Sequence, residues 1–251
     1  MTRDADRGIF ITFEGGEGAG KTTHIRFLAE ALRARGRECV CLREPGGTPI
    51  GEALRALVLD PANAEMTPET ELLVYEAARA QIVAQVVRPA LERGAVVLCD
   101  RFTDSTLAYQ VHGRGLPRAF VEQANAFSTG GLVPDRTILL VCGAGTRAGL
   151  ARATRRAGAD RLEQAGEDFH ARVNEGFLEL AEADPARIRV VVSDARKSVT
   201  SATVFQELTD LFPWMADASV CDEDFFAPLD APRAAAASCA PPTRAGAASE
   251  G

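Results

Sequence analysis

Five short runs rich in Ile, Val, Leu and Phe punctuate the chain, at residues 8–14, 38–43, 95–99, 136–142 and 187–193. Within each, hydrophobicity is nearly continuous rather than alternating, as expected of parallel strands covered on both faces. Longer segments of helical period separate them. Residues 23–35 read as a helix closed by Gly36, and residues 68–93 as a long one closed by Gly94 and kinked near its end by Pro89. Further helices are predicted over 50–59, 117–128, 147–156, 167–183 and 199–211. Strands alternating with helices predict an α/β fold with one parallel sheet, and no internal repeat interrupts the pattern. After Phe212 the pattern lapses. Ala, Pro, Ser and Gly dominate residues 228–251, so 214–251 reads as a disordered tail. Within it, residues 221–229 (CDEDFFAPL) mix acidic and aromatic side chains, either to dock on a partner or as part of a loose terminus.

Composition narrows the class. With 251 residues, 46% hydrophobic and 25% charged, the chain can bury enough apolar surface for one core. A formal net charge of -7 argues against a nucleic-acid-binding surface. The six cysteines lack CxxC pairs and read as reduced, structural residues, and His24, His112 and His170 lack the spacing of a zinc site. Neither a charged leader with an apolar stretch nor a run of about 18 apolar residues is visible, so no membrane segment is expected and the cytoplasm is the expected compartment.

The densest chemical signal is GGEGAGKT: Gly15, Gly16, Glu17, Gly18, Ala19, Gly20, Lys21 and Thr22, followed by Thr23. It fits GxxxxGKT and lies between a predicted strand and a predicted helix, the context that this phosphate-binding loop requires. Glycines let successive backbone N–H groups turn toward phosphate oxygens, and the helix points its positive end at the same anion. Lys21 then reaches the outer phosphates of ATP or GTP, and the Thr22 hydroxyl is a candidate Mg²⁺ ligand. Asp100, at the carboxyl end of the third predicted strand, is a second candidate for the metal, although an Asp there also serves as a turn or cap residue.

Six blocks in order extend this signal: GGEGAGKTTH from Gly15, REPGGTPIGEALR from Arg43, ETELLVYEAARAQ from Glu69, DRFTDSTLAYQ from Asp100, PDRTILL from Pro134 and DRLEQ from Asp160. In these, residues 8–212 resemble thymidylate kinases of the bacterial type. The resemblance implies a three-layer P-loop fold over residues 8–213 after a short extension (1–7), with a five-stranded parallel sheet and a mobile lid near 152–167. It also implies a homodimer that moves the γ-phosphate of ATP onto dTMP with Mg²⁺. Glu17 would accept the sugar 3′-hydroxyl, or else serve the loop as an internal acceptor. Tyr75 and Arg79, four apart on one helix face, would stack on thymine and donate to its carbonyl edge; the alternative is a core Tyr beside a surface Arg. Arg43, with Pro45 in a tight turn, and Arg101 would grip the monophosphate, or be structural ion pairs. Ser105, Tyr109 and Gln110 would lie against base and sugar.

The loop itself carries no Arg. Transition-state charge would therefore fall to Lys21, Arg101 and a lid arginine, with Arg156 the first choice and Arg152 and Arg161 as accessory ATP contacts; a solvated helix face is the ordinary role of any one of these. The rival readings are a kinase for another nucleoside monophosphate and an NTP-driven switch. The chain departs from the family pattern at Leu42, Val111, His112 and Gly143, and His112 would occupy space near the base pocket.

Overall fold

The computed structural model describes residues 8–142, 160–193 and 196–231. Five parallel strands, β1 (Ile9–Glu14), β2 (Cys39–Arg43), β3 (Val96–Asp100), β4 (Arg136–Val141) and β5 (Ile188–Val192), form one sheet in the order β2-β3-β1-β4-β5. The five expected runs are these strands. Alternate side chains divide between the two faces, as the two-residue period demands. Ile11, Phe13, Val96, Leu98, Ile138 and Leu140 enter one cluster. Phe10, Val97 and Cys99 enter a second, and Leu139 a third.

Helix α1 (Lys21–Arg33) leaves the loop after β1 and packs Leu28 and Leu32 into the first cluster. Helix α2 (Pro49–Leu59) opens on Thr48, whose hydroxyl accepts from Gly51 N. The expected helix over 68–93 consists of α3 (Pro68–Ile82), a π turn (Val83–Val87) and α4 (Arg88–Glu92). The wide turn falls directly before Pro89, which has no N–H to complete a regular helical ladder. A second π turn (Leu107–Gly113) follows the short α5 (Thr103–Thr106) and carries Tyr109 and Gln110. Helix α6 (Arg118–Thr129) ends on left-handed Gly130, and α7 (Glu167–Ala183) lies over Leu139 through Phe169, Val173 and Phe177. Helix α8 (Lys197–Gln206) is shorter than the expected 199–211 and passes into turns. The expected helix at 147–156 lies outside the described residues.

The tail expectation is corrected over residues 214–231. Pro213–Ala216 and α9 (Glu223–Phe226) fold back on the domain. The Phe225 ring lies 5.2 Å from that of Phe27 on α1, Phe226 lies 5.2 Å from Phe205 on α8, and the Arg35 guanidinium sits 3.5 Å over Trp214. Burying such rings contributes about 2–3 kcal/mol each, enough to hold a segment whose surroundings are Ala- and Pro-rich. Among the described residues no helix is long and apolar enough to cross a membrane.

Candidate active site

The carboxyl ends of β1, β2, β3 and β5 open onto one cleft of about 1050 Å³, lined by Glu17–Thr23, by Arg43 and Asp100, and by Ser193 beyond β5. Its floor is the loop after β1. Gly15 has φ +122, and a Cβ there would stand 2.1 Å from the Leu140 carbonyl oxygen, so the loop can press against β4 only as glycine. Lys21 is buried; its Nζ donates to Gly15 O at 3.0 Å and Gly16 O at 3.1 Å. Burial, with Arg101 close by, holds the Lys21 pKa below its ordinary value.

Thr22 and Asp100 are brought together from α1 and β3. Thr22 Oγ1 donates to Asp100 Oδ2 at 3.1 Å. One hydroxyl and one carboxylate beside a phosphate loop fit Mg²⁺, a hard cation that completes its shell with water and phosphate oxygens.

Arg101 organises the neighbouring wall. It is the sole non-glycine with positive φ among the described residues, at φ 74, and its N–H donates to Phe13 O at 3.0 Å. This left-handed turn aims the guanidinium back at the loop, where it donates to Glu17 Oε1 at 2.5 Å, Gly15 O at 3.1 Å and Ser105 Oγ at 3.3 Å. Tyr109 donates to the same Glu17 oxygen at 3.4 Å. Burial disfavours the Glu17 carboxylate, but the charges of Arg101 and Lys21 outweigh it and hold its pKa at about 2. Glu17 is thus an ionised acceptor at neutral pH.

Tyr75 and Arg79 both line the cleft from α3. Arg79 is not a surface residue. It is 2% exposed, with Nε on Glu44 (2.8 Å) and Nη1 on Glu76 (2.8 Å) and Asn125 (2.7 Å), which leaves Nη2 as the part of the fork those acceptors do not engage. Arg43 lines the cleft but is half-exposed and donates to Glu52 and to Pro45 O; Glu44–Pro45 is a cis peptide. Ser105 and Gln110 also line it, and each is committed inward, Ser105 to Glu14 at 2.5 Å and Gln110 to Glu71 at 2.8 Å.

Two expectations are corrected. Arg161 does not face the phosphate loop; it is buried, donating to Val58 O at 2.9 Å and to the buried Glu71 carboxylate, which also takes Arg114. A cation beside a buried carboxylate is held there rather than released to solvent, so Arg161 anchors its own segment against α2 and α3. His112 does not occupy the base pocket; its ring packs against α7, where a Cβ on Gly176 would meet it at 2.6 Å. Arg152, Arg156 and Gly143 lie outside the described residues.

Sequence reasoning missed three residues. Glu14, fully buried at the end of β1, accepts from Phe102 N at 2.7 Å and Ser105, and burial with Asp104 nearby pushes its pKa up to about 8. Glu44 is raised to about 7 by burial against the opposing pull of Arg79. Arg55 lines the cleft and shares Pro45 O with Arg43. An acidic residue ending an apolar strand was the visible signal for Glu14; Arg55 stood unremarked inside the second block.

A family model described as "Thymidylate kinase" matches residues 13–204. The chain belongs to the thymidylate kinase family. It is 50% identical over 204 residues to a thymidylate kinase of Deinococcus radiodurans, covering 81% of this chain and 98% of the relative. It is 49% identical over 212 residues to one of Geobacter sulfurreducens, covering 82% and 99%. The crystal structure of thymidylate kinase from Ehrlichia chaffeensis superposes with a TM-score of 0.64 at 29% identity, over 80% of this chain and 99% of that one. The family model stops before the docked segment 213–231 begins.

Proposed function

We infer that this member of the family phosphorylates dTMP to dTDP with ATP as donor, supplying dTTP synthesis. The observation that carries the reading is the junction of the phosphate loop with the Glu17–Arg101–Tyr109 cluster in one cleft. That junction sets a cradle for a triphosphate beside an ionised carboxylate, a guanidinium and an aromatic wall. Loop amides and Lys21 hold the triphosphate. Tyr75 offers a ring for the base and Arg79 Nη2 a donor for its carbonyl edge. Glu17 accepts a sugar hydroxyl, and Tyr109, by its bulk, excludes a 2′-hydroxyl. Arg43 and Arg101 receive the acceptor phosphate, with Arg55 beside them.

A phosphate monoester is already an anionic nucleophile at neutral pH, so no general base is needed and catalysis reduces to alignment and charge neutralisation. Thr22 and Asp100 would hold Mg²⁺, which when bound supplies charge neutralisation between donor phosphates. Lys21 and Arg101 stabilise the transferring group, and Arg156 is the proposed lid contribution. A homodimer in the cytoplasm, with the lid near 152–167, belongs to the same proposal and rests on family membership. The test is coupled ADP release with ATP, Mg²⁺ and each of dTMP, dUMP, UMP and CMP. Preferred turnover of dTMP, lost in Lys21→Ala, supports the reading. Preference for another monophosphate, or equal ATP hydrolysis with none, overturns it.

A further inference from the structure

The segment 213–231 returns to the cleft. The sheet order places Arg43, the last residue of β2, and Ser193, after β5, on opposite sides of the phosphate loop after β1. The β2 side carries the acceptor contacts proposed above. On the reading proposed above, the rest of the donor beyond its phosphates extends along the β5 side, where Ser193, Lys197 and Thr200 line the cleft. Asp230 lines the cleft on this side.

Helix α8 needs what Asp230 supplies. Its N-cap residue, Arg196, makes no side-chain cap, and the first N–H groups of a helix have no partner within it. Asp230 Oδ1 accepts from Ser198 N at 3.1 Å and Oδ2 from Ser198 Oγ at 2.5 Å. The carboxylate also complements the positive helix end and the adjoining Arg196. Upstream, Phe225 and Phe226 bridge Phe27 on α1 and Phe205 on α8, so the segment ties together the two helices that flank the donor side.

We propose that residues 213–231, beyond those that match the family model, form a donor-side strap in which Asp230 is a positioning residue. It fixes the first turn of α8, and with it Lys197 and Thr200, against the nucleoside part of the triphosphate. The inference rests on the proposed function for its donor and is separable from it.

Asp230→Ala and Asp230→Asn in the full chain test it. KM is measured for ATP and for dTMP, and the Kd of the Mg²⁺ complex of β,γ-imido-ATP by calorimetry without acceptor. For Asp230→Ala, KM for ATP and the Kd should rise about fivefold, the factor a lost helix-capping contact typically carries, with KM for dTMP unchanged. Asp230→Asn, whose amide oxygen still accepts from Ser198 N, should restore most of the affinity. An unchanged Kd overturns the strap, as does an equal rise in both KM values. Should the wild-type chain bind imido-ATP yet fail to phosphorylate dTMP, the functional reading falls and the Kd comparison alone decides the strap.

Discussion

Replacing Arg101 by Ala and by Gly separates its backbone role from its charge. Its φ of 74 is left-handed, which costs an L side chain about 1 kcal/mol relative to glycine. Both variants lose the ion pair with Glu17. A Glu17 pKa of about 2, against 4.5 for the free side chain, corresponds to about 3 kcal/mol of stability at pH 7. Because the folded pKa is depressed, that stability is complete above pH 4.5 and drains away as pH falls toward 2. Without Arg101, burial leaves Glu17 to protonate at higher pH, so the gap between wild type and variant narrows as the medium is acidified. Lys21 and Tyr109 share in lowering Glu17, so urea unfolding should find the Ala variant less stable than wild type by up to about 3 kcal/mol at pH 7, with the gap about 1 kcal/mol smaller or more by pH 4. The Gly variant should be about 1 kcal/mol more stable than the Ala variant. Turnover of dTMP should fall by about 10²-fold or more in both, as for loss of one preorganised donor. Equal stability of the two variants, or a gap that does not change with pH, would refute the reasoning.

Three further perturbations probe other parts of the fold. Burial, with Lys197 nearby, holds His24 at about 4; because the charged ring is disfavoured in the fold, its contribution falls by about 2 kcal/mol between pH 7 and pH 5, and urea titrations should find the stability of wild type relative to His24→Gln dropping by that amount across the window. Phe226→Ala, at a ring 4% exposed among Phe27, Phe205 and Phe225, should cost about 3–4 kcal/mol, whereas a loose tail would give no change. Chelation of Mg²⁺ by EDTA should abolish turnover and excess Mg²⁺ restore it, while Thr22→Ala should raise the Mg²⁺ concentration needed for half-maximal rate.

The strands and the phosphate loop were legible because their causes are local. Continuous Val/Ile/Leu runs report the two-face burial of the central strands β1, β3 and β4, although the edge strands β2 and β5 carry the same signal with part of their side chains, such as Val190 and Val192, exposed, and GxxxxGKT carries its strand and helix with it. What failed depended on partners distant in sequence. Arg161 looked like a lid cation because nothing nearby in sequence announces Glu71, 90 residues earlier. The surface alternative for Arg79 survived in the sequence because Glu44, Glu76 and Asn125, which close around it, lie elsewhere in the chain or on the same helix without announcing the contact. Phe225 and Phe226 were lost in an Ala- and Pro-rich window, since their packing partners Phe27 and Phe205 lie on α1 and α8.

The arrangement of both substrates in the cleft is tested most directly by crystals of the protein grown with dTMP and the Mg²⁺ complex of β,γ-imido-ATP. The account predicts the triphosphate within the Gly15–Thr22 loop, thymine against Tyr75, and the dTMP phosphate between Arg101 and the γ-phosphate. A dTMP bound away from Tyr75 and Arg101, or a triphosphate outside the loop, would contradict it.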